Sequence, residues 1–285
     1  MRKFVFCFFV CCLLTGTVWG QGDLRGAGTA ADDAFAAMNR AFTDQSLSGE
    51  DEYYLGRAVA ANIFAAYRPY NGNPALTGYL NRICQTLVIN SSNPVVFNGY
   101  FVVIMDSQEY NAFATPGGHI MLTRALVDAA ESEDALAALI AHELAHIMLR
   151  HAAAIIEHMS LANELDDIAG RAAALAGNST AAQRALQMRS SVAGVVDAMM
   201  KNGYSQVQEF DADSKALELL AGAGYDPRGL LEILQVLQRV QPARAGGFNS
   251  THPSPAQRIS NVNTLLQRYR VLDTRAAREP RFRNR

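Results

Sequence analysis

The five residues His142-Glu143-Leu144-Ala145-His146 constrain this chain more than any other segment of its sequence. Residues four apart lie on one face of a helix, so the two imidazoles can reach one metal ion, and Glu143 can face a water molecule beside it. A catalytic zinc site has three protein ligands and one open position. The motif therefore predicts a metal site that still needs one ligand. Two ordinary histidines on an amphipathic helix are the alternative.

The residues around the motif predict a long and largely buried helix. Ser132 followed by Glu133 and Asp134 is typical of a helix start, and neither Gly nor Pro interrupts the pattern as far as Leu149. Apolar side chains recur at helical spacing at Leu136, Leu139, Ile140, Leu144 and Ile147.

The missing ligand is predicted in the segment Gln208-Glu209-Phe210-Asp211-Ala212-Asp213. Glu209 and Asp213 are four residues apart and share a helical face, so one carboxylate can bind the metal while the other accepts the spare N–H of a liganding histidine. We assign the ligand role to Glu209 and the supporting role to Asp213. A solvated acidic face is the alternative.

Five segments, taken in order, resemble the zinc metallopeptidases that include the CAAX-prenyl endopeptidases, the HtpX-type membrane proteases and soluble periplasmic peptidases of the BepA type. The resemblance extends from about Gly49 to about Leu272. The segments are Asn111–Ile120, His142–His146, Glu209–Asp213, Ala223–Pro227 and His252–Ser254.

The resemblance implies that His142, His146 and Glu209 hold one zinc ion per chain and that Glu143 is the general base. It also implies the fold class α+β, predominantly α-helical, as a zincin-like peptidase domain with a small sheet beside the metal-binding helix. The expected activity is that of a zinc endopeptidase that cleaves misfolded or envelope proteins. The alternative is an envelope chaperone or assembly-quality-control binding protein with a restrained peptidase site.

Two residues near the end of the domain are further candidates for the site. The prolines beside His252 stiffen its loop, so this imidazole can stabilise an oxyanion or occupy the open zinc position in a resting state. Arg258 can bind a substrate carbonyl or an acidic residue of the site. A simple helix-entry role is the alternative for His252.

The segment before the metal helix is predicted to bind substrate. Strands are expected at Tyr100–Met105, Ala112–Ala114 and Ile120–Thr123, the last two joined by a Pro-Gly-Gly turn. In the zinc peptidases that this chain resembles, an edge strand just before the metal helix pairs with the backbone of an extended substrate, which would place Asn111 and Phe113 along the cleft. A plain hairpin is the alternative.

The region 149–206 is rich in Ala and Met and predicts a helical hairpin. We expect it to complete the fold, and a movable cover over the cleft is the alternative. Because His151 and His158 lie five and twelve residues after His146, we expect both to be structural or surface residues rather than ligands of the same ion.

The start of the chain is typical of a secretory signal. Arg2 and Lys3 precede an apolar run from Phe4 to Leu14, which is too short to span a bilayer, and cleavage is expected near Gly20. The mature protein is therefore expected to be exported, in the periplasm or otherwise associated with the envelope, without a membrane span. An uncleaved anchor is the second possibility.

Composition and organisation agree with an exported enzyme. A net charge of −2 argues against nucleic acid as a partner, whereas polypeptide substrates and envelope assembly proteins remain candidates. Cleavage would leave Cys84 as the one cysteine, predicted to be a buried apolar residue. We divide the chain into a signal at 1–20, a leader at 21–48, the peptidase domain at 49–272 and a basic, disordered tail at 273–285.

Overall fold

The structure is a computed structural model that describes residues 47–155, 203–240, 251–252, 255–269 and 274–285. In this part of the chain, helices surround a small sheet, which confirms the expected predominantly helical α+β class. The helices are α1 (Gly49–Ala66), α2 (Pro74–Ile89), α3 (Arg124–Ala129), α4 (Glu133–Met148), α5 (Gln206–Gly222), α6 (Arg228–Val240), α7 (Pro255–Leu266) and α8 (Arg275–Arg283), and the strands are β1 (Phe101–Met105), β2 (Ala112–Thr115) and β3 (His119–Thr123).

The sheet has the order β1-β3-β2, with β3 parallel to β1 and antiparallel to β2. A single 3-10 turn, Pro116–Gly118, joins β2 to β3, as the Pro-Gly-Gly sequence predicts. Gly117 and Gly118 both have positive φ angles, at 74° and 105°, which residues other than glycine rarely adopt. The turn places β2 at one edge of the sheet, against the metal-motif helix α4.

Capping side chains determine where the helices begin. Ser48 and Asp51 form a reciprocal capping box at the start of α1, and Asn73 caps α2, whose first residue is Pro74. Ser205 and Gln208 form a second capping box at the start of α5, and Glu209 lies in the first turn of that helix. These caps satisfy backbone N–H groups that have no partner inside the helix.

Helix α4 is the central element of the domain. Every residue from Glu133 to Ile147 is buried, and α4 packs against α5, α6, α2 and β2. Ser132 caps the helix by accepting a hydrogen bond from the backbone N–H of Ala135. At Gly229, α6 approaches so closely that a Cβ atom would lie 2.4 Å from the Asp134 carbonyl oxygen. The motif histidines therefore lie on a helix enclosed by protein, as its apolar pattern predicts.

Cys84 lies on α2, faces the main hydrophobic core and is fully buried. Burial raises the pKa of its thiol to about 12, because the thiolate would lose its hydration there. Cys84 is thus the small apolar core residue that we predicted from its spacing.

The C-terminal segment corrects one of our predictions. Residues 275–283, expected to be disordered because of their arginine content, form helix α8 and pack against the start of α4. Arg278 pairs with Asp134 at 2.6 Å, and Arg281 donates to Glu133. Phe282 is buried beneath them. The local sequence indicated a solvated tail because it does not show the carboxylates that pair with these arginines. Those carboxylates lie 144 and 148 residues earlier in the chain.

Other predictions lie outside the described residues. The signal at 1–20, nearly all of the leader at 21–48, His158 and most of the proposed hairpin at 149–206 belong to this group. Within the described ranges, none of the helices combines the length and apolar character that crossing a bilayer requires.

A close backbone contact between α1 and the 3-10 turn gives a first test of the packing. A Cβ atom at Gly56 would lie 1.8 Å from the Pro116 carbonyl oxygen. We expect Gly56→Ala to lower the free energy of unfolding by about 1–3 kcal/mol, because α1 would have to move away from the turn. Urea denaturation measures this change.

Gly78 provides the matched control for that variant. It also lies inside a helix, α2, but the nearest atom to an added Cβ is Arg82 Nη1 at 3.6 Å. Gly78→Ala should therefore stabilise the protein by roughly 0.5–1 kcal/mol through helix propensity. Equal effects of the two substitutions would contradict the close contact at Gly56.

Candidate metal centre

Two helices and one short segment bring four possible ligands together. His142 and His146 project from α4, Glu209 from α5, and His252 from the segment 251–252. One donor atom from each residue lies within 4.8 Å of all the others, and the four residues are 0–2% exposed. The structure thus joins the two motifs from which the sequence predicted a metal site, and adds His252.

The distances among the predicted ligands suit a tetrahedral metal ion. The two Nε2 atoms of His142 and His146 are 3.1 Å apart, and they lie 3.4 Å and 3.5 Å from oxygen atoms of Glu209. A tetrahedron with metal–ligand bonds of about 2.0–2.1 Å has edges of roughly 3.3 Å. The donor set of two imidazoles and one carboxylate therefore fits an ion such as zinc in both chemistry and size.

Glu143 has the surroundings expected of a general base. It is 1% exposed, and neither carboxylate oxygen has a hydrogen-bond partner among the described residues. The nearest basic atom that we identify is His252 Nε2, 3.6 Å from Oε1. Burial raises the pKa of Glu143 above its ordinary value, which His252 and His142 only partly offset. A buried carboxylate with unused oxygens fits a site that holds a metal ion and a reacting water molecule.

The two motif histidines have different environments. Burial and the charge of Arg258 act to lower the pKa of His142, but contacts with Asp213 and Glu209 outweigh them and raise it to about 9. Burial instead holds the pKa of His146 well below its ordinary value. His146 thus offers a free lone pair at neutral pH, whereas His142 must release a proton when a metal ion binds.

The carboxylates of Glu209 and Asp213 share Arg258 as their counter-ion. Burial acts to raise the pKa of Glu209, but the neighbouring His252 and Arg258 reverse this effect and hold it well below its ordinary value. Asp213 Oδ1 lies 3.2 Å from His142 Nδ1, on the side of the ring that faces away from the other donors. This contact has the geometry of the supporting role predicted for Asp213.

Arg258 occupies a different place from the one first expected for a substrate-binding residue. Its guanidinium is 1% exposed and contacts Asp213 at 2.6 Å and 2.9 Å and Glu209 at 2.9 Å. Of our two predictions, binding to an acidic residue of the site agrees with these contacts, whereas binding to a substrate carbonyl stays a prediction. The sequence around Arg258 could not predict this contact, because both carboxylates lie on α5 and Arg258 lies on α7.

The predicted substrate-binding residues lie next to the His252 segment. Asn111 Oδ1 accepts a hydrogen bond from Thr251 Oγ1 at 3.2 Å, so β2 and the segment that carries His252 are in contact. Phe113 packs against the ring of Tyr67, and Asn111 and Phe113 are each 3% exposed. The ring of His119 lies 5.1 Å from that of Tyr53, and His119 is not part of the four-residue group.

Two residues contact His146 in ways that the sequence did not predict. The ring of Tyr204 stacks on this imidazole at 3.9 Å, and His151 Nδ1 lies 2.9 Å from its Nδ1 atom. Tyr204 stands just before the Ser205 cap of α5, so its proximity to Glu209 was a usable signal. His151 has no such signal, because a spacing of five residues places it on another face of a regular helix.

The metal-motif helix, the glutamate from a second helix and a buried Glu143 without a hydrogen-bond partner are the features of the HExxH class of metallopeptidases. The model of peptidase family M48 matches residues 74–266, and the chain belongs to that family. This match confirms the resemblance that the five sequence segments indicated.

Several curated relatives have related names. The chain is 26% identical over 206 residues to the beta-barrel assembly-enhancing protease of Escherichia coli strain K12, covering 72% of this chain and 42% of that protein. It is 24% identical over 199 residues to metalloprotease LoiP of the same strain, covering 68% and 73% of the two chains. The mitochondrial metalloendopeptidase OMA1 of Schizosaccharomyces pombe is 29% identical over 168 residues, covering 56% of this chain and 45% of OMA1. The chain therefore spans about half the length of the beta-barrel assembly-enhancing proteases that it matches.

The shared counter-ion can be tested through stability. We expect Arg258→Met to lower the free energy of unfolding of the metal-free protein by about 3–5 kcal/mol, because two buried carboxylates lose their positive partner. Chemical denaturation in the presence of a chelator measures the change without a contribution from bound metal.

Arg239→Met is the matched control, because Arg239 pairs with Glu131 on the surface and both side chains are about 60% exposed. Its effect should stay below about 1 kcal/mol. A loss at Arg258 as small as the loss at Arg239 would show that the carboxylates do not depend on this arginine.

Proposed function

We propose that this protein is a zinc-dependent endopeptidase that hydrolyses peptide bonds at the centre described above. His142, His146 and Glu209 hold one zinc ion, Asp213 supports His142, and Glu143 is the general base. The observation that carries the proposal is the convergence of two imidazole nitrogens, 3.1 Å apart, on the Glu209 carboxylate, whose Oε2 lies 3.4 Å from His142 and whose Oε1 lies 3.5 Å from His146. Beside them lies the buried Glu143 carboxylate, which has no hydrogen-bond partner among the described residues. Two imidazoles and one carboxylate are a known ligand set of catalytic zinc in peptidases.

When bound, zinc supplies Lewis acidity that activates water and polarises the scissile carbonyl. The remaining steps belong to the protein. Glu143 accepts a proton from the attacking water and returns it to the leaving nitrogen, so one carboxylate acts first as base and then as acid. Its raised pKa suits both steps, since a proton shuttle works best when its pKa lies near the working pH.

His252 has two predicted roles, and its contacts support the resting-state role in this arrangement. Its Nδ1 atom lies 2.9 Å from Glu209 Oε1 and 3.3 Å from His142 Nε2, among the atoms proposed to bind zinc. We propose that His252 would help to hold the zinc ion together with His142, His146 and Glu209 in the closed form, and that it withdraws when substrate enters. In the open form it becomes a hydrogen-bond donor to the oxyanion.

Polypeptides in the bacterial envelope are the proposed substrates. The name of the beta-barrel assembly-enhancing protease associates that relative with beta-barrel assembly, and the signal-like N-terminus of this chain agrees with export. The contact of Asn111 with Thr251 places β2 beside the His252 segment. Withdrawal of that segment would uncover Asn111 and Phe113 for main-chain pairing with an extended peptide.

The closed arrangement also favours a second candidate function. All four possible ligands are nearly inaccessible, so a protein that binds unfolded envelope proteins and rarely cleaves them is compatible with the same geometry. A Glu143→Gln variant distinguishes the two functions in cells. Complementation of a deletion strain by this variant would favour binding, and failure to complement would favour cleavage.

Two substitutions separate metal binding from cleavage. Glu143→Gln should keep about one zinc ion per chain and lower casein cleavage by about 10²–10⁴-fold, because the amide cannot take a proton. His142→Ala should lose both the zinc and the activity. Elemental analysis and casein cleavage, each with and without a chelator, measure the two properties.

Glu131→Gln is the control for these variants, because this carboxylate lies on the surface shortly before α4 and should affect neither property. Cleavage at the wild-type rate by Glu143→Gln would rule out Glu143 as the general base. Wild-type protein that cleaves casein at full rate after zinc has been removed would rule out the zinc mechanism altogether.

A further inference from the structure

The chain changes direction immediately after the metal helix. Helix α4 ends at Met148, and Arg150 has a φ angle of 58°, one of two positive φ angles among the described residues other than glycine. On a continued helix, residue 151 would be rotated about 140° from residue 146. The left-handed residue instead starts a new turn, in which the Ala154 N–H bonds to the Arg150 carbonyl. A strained backbone conformation of this kind often marks a functional constraint.

This change of direction brings the ring of His151 back to His146. The two ring centroids are 5.0 Å apart, and the two Nδ1 atoms are separated by 2.9 Å, a hydrogen-bonding distance. His151 is 7% exposed, so the contact is shielded from water. His151 does not belong to the group of possible ligands and therefore acts on the site through His146.

The short distance restricts where the protons lie. Two imidazole nitrogens at 2.9 Å need one donor and one acceptor, so only one of the two Nδ1 atoms carries a proton. His146 turns Nε2 toward His142 and Glu209, and binding of a metal there requires a lone pair on that atom. Neutral His146 then carries its proton on Nδ1 and donates it to His151, whose own proton is on Nε2.

Tyr204 holds the same imidazole from its face. Its ring lies nearly parallel to that of His146, with an interplanar angle of 18° and a centroid distance of 3.9 Å. The backbone N–H of Tyr204 donates to the Thr251 carbonyl at 3.0 Å, which ties this ring to the segment that carries His252. His151 thus restrains the His146 ring at its edge, and Tyr204 restrains it at its face.

The two ligand histidines have partners of different charge. His142 faces the carboxylate of Asp213, whose charge Arg258 compensates. A second carboxylate behind His146 would need another buried cation. A neutral imidazole accepts the same hydrogen bond without adding charge to the interior.

We propose that His151 is a positioning residue of the metal centre: it accepts the Nδ1 proton of His146, and thereby keeps the Nε2 lone pair of His146 directed at the ion. This inference rests on the proposed function of the site. It adds a residue that neither the ligand set nor the general-base role requires. Metal-ligating histidines commonly depend on such a hydrogen bond, and loss of the partner typically lowers metal affinity by 10–100-fold.

The test compares two substitutions with different hydrogen-bonding ability. His151→Leu fills the space but cannot accept a proton, and should weaken zinc binding by about 10–100-fold. His151→Asn places an amide oxygen close to the position of Nδ1, and should recover most of the affinity. Zinc binding to the metal-free full-length protein is measured by competition with a chromophoric chelator. His119→Leu, at a histidine outside the metal group, is the matched control and should bind zinc like the wild type.

A second measurement needs no substitution at His151. In the metal-free wild type labelled with ¹⁵N-histidine, the nitrogen shifts should show that His146 is protonated on Nδ1. A His146 protonated on Nε2 would overturn the proposal, and so would wild-type affinity in His151→Leu. Wild-type protein that binds no zinc at all would instead refute the proposed function, and this inference with it. If His151→Leu fails to fold, the tautomer of the wild type decides the question.

Discussion

The buried ion cluster of Arg258, Asp213 and Glu209 is the interaction on which the metal centre depends. Two carboxylates on α5 lie in the interior, where an unpaired charge is strongly unfavourable, and one guanidinium from α7 contacts both. His252 and this arginine together hold the pKa of Glu209 well below its ordinary value, and Asp213 lies 3.2 Å from His142 Nδ1, where we propose that it supports the ring. The metal site is thus assembled around a charge balance that exists only when α4, α5 and α7 pack together.

Helix α4 transmits that packing to the catalytic residues. It is enclosed along its whole length, so its position is determined by neighbours on every side: α6 at Gly229, α8 at Glu133 and Asp134, and β2 beside the motif. At its far end the left-handed Arg150 returns the chain toward His146. A helix held in this way keeps the two imidazoles and Glu143 in fixed relative positions, which the proposed general-base role of Glu143 requires.

The arrangement also explains how one protein can hold a hydrolytic site in check. His252 and Asn111 come from segments 140 residues apart and are joined through Thr251. In the proposed resting state, the same short segment holds His252 against Glu209 and His142 and lies beside the residue that precedes the edge strand, where a peptide could pair. Opening of that segment would expose both surfaces together, so that substrate binding and release of the site are coupled.

The sequence by itself determined the local elements and the ligand candidates. HExxH and ExxxD have helical spacing, and the Pro-Gly-Gly turn and the capping residues act over a few positions, so short-range geometry made α4, α5 and the β2–β3 hairpin predictable. Only the tertiary structure decided which residues Arg258 contacts, that residues 275–283 form helix α8, and that His151 contacts His146. These contacts join charged or aromatic residues that lie far apart in the chain or on either side of the backbone turn at Arg150. A periodic sequence pattern carries no information about such contacts.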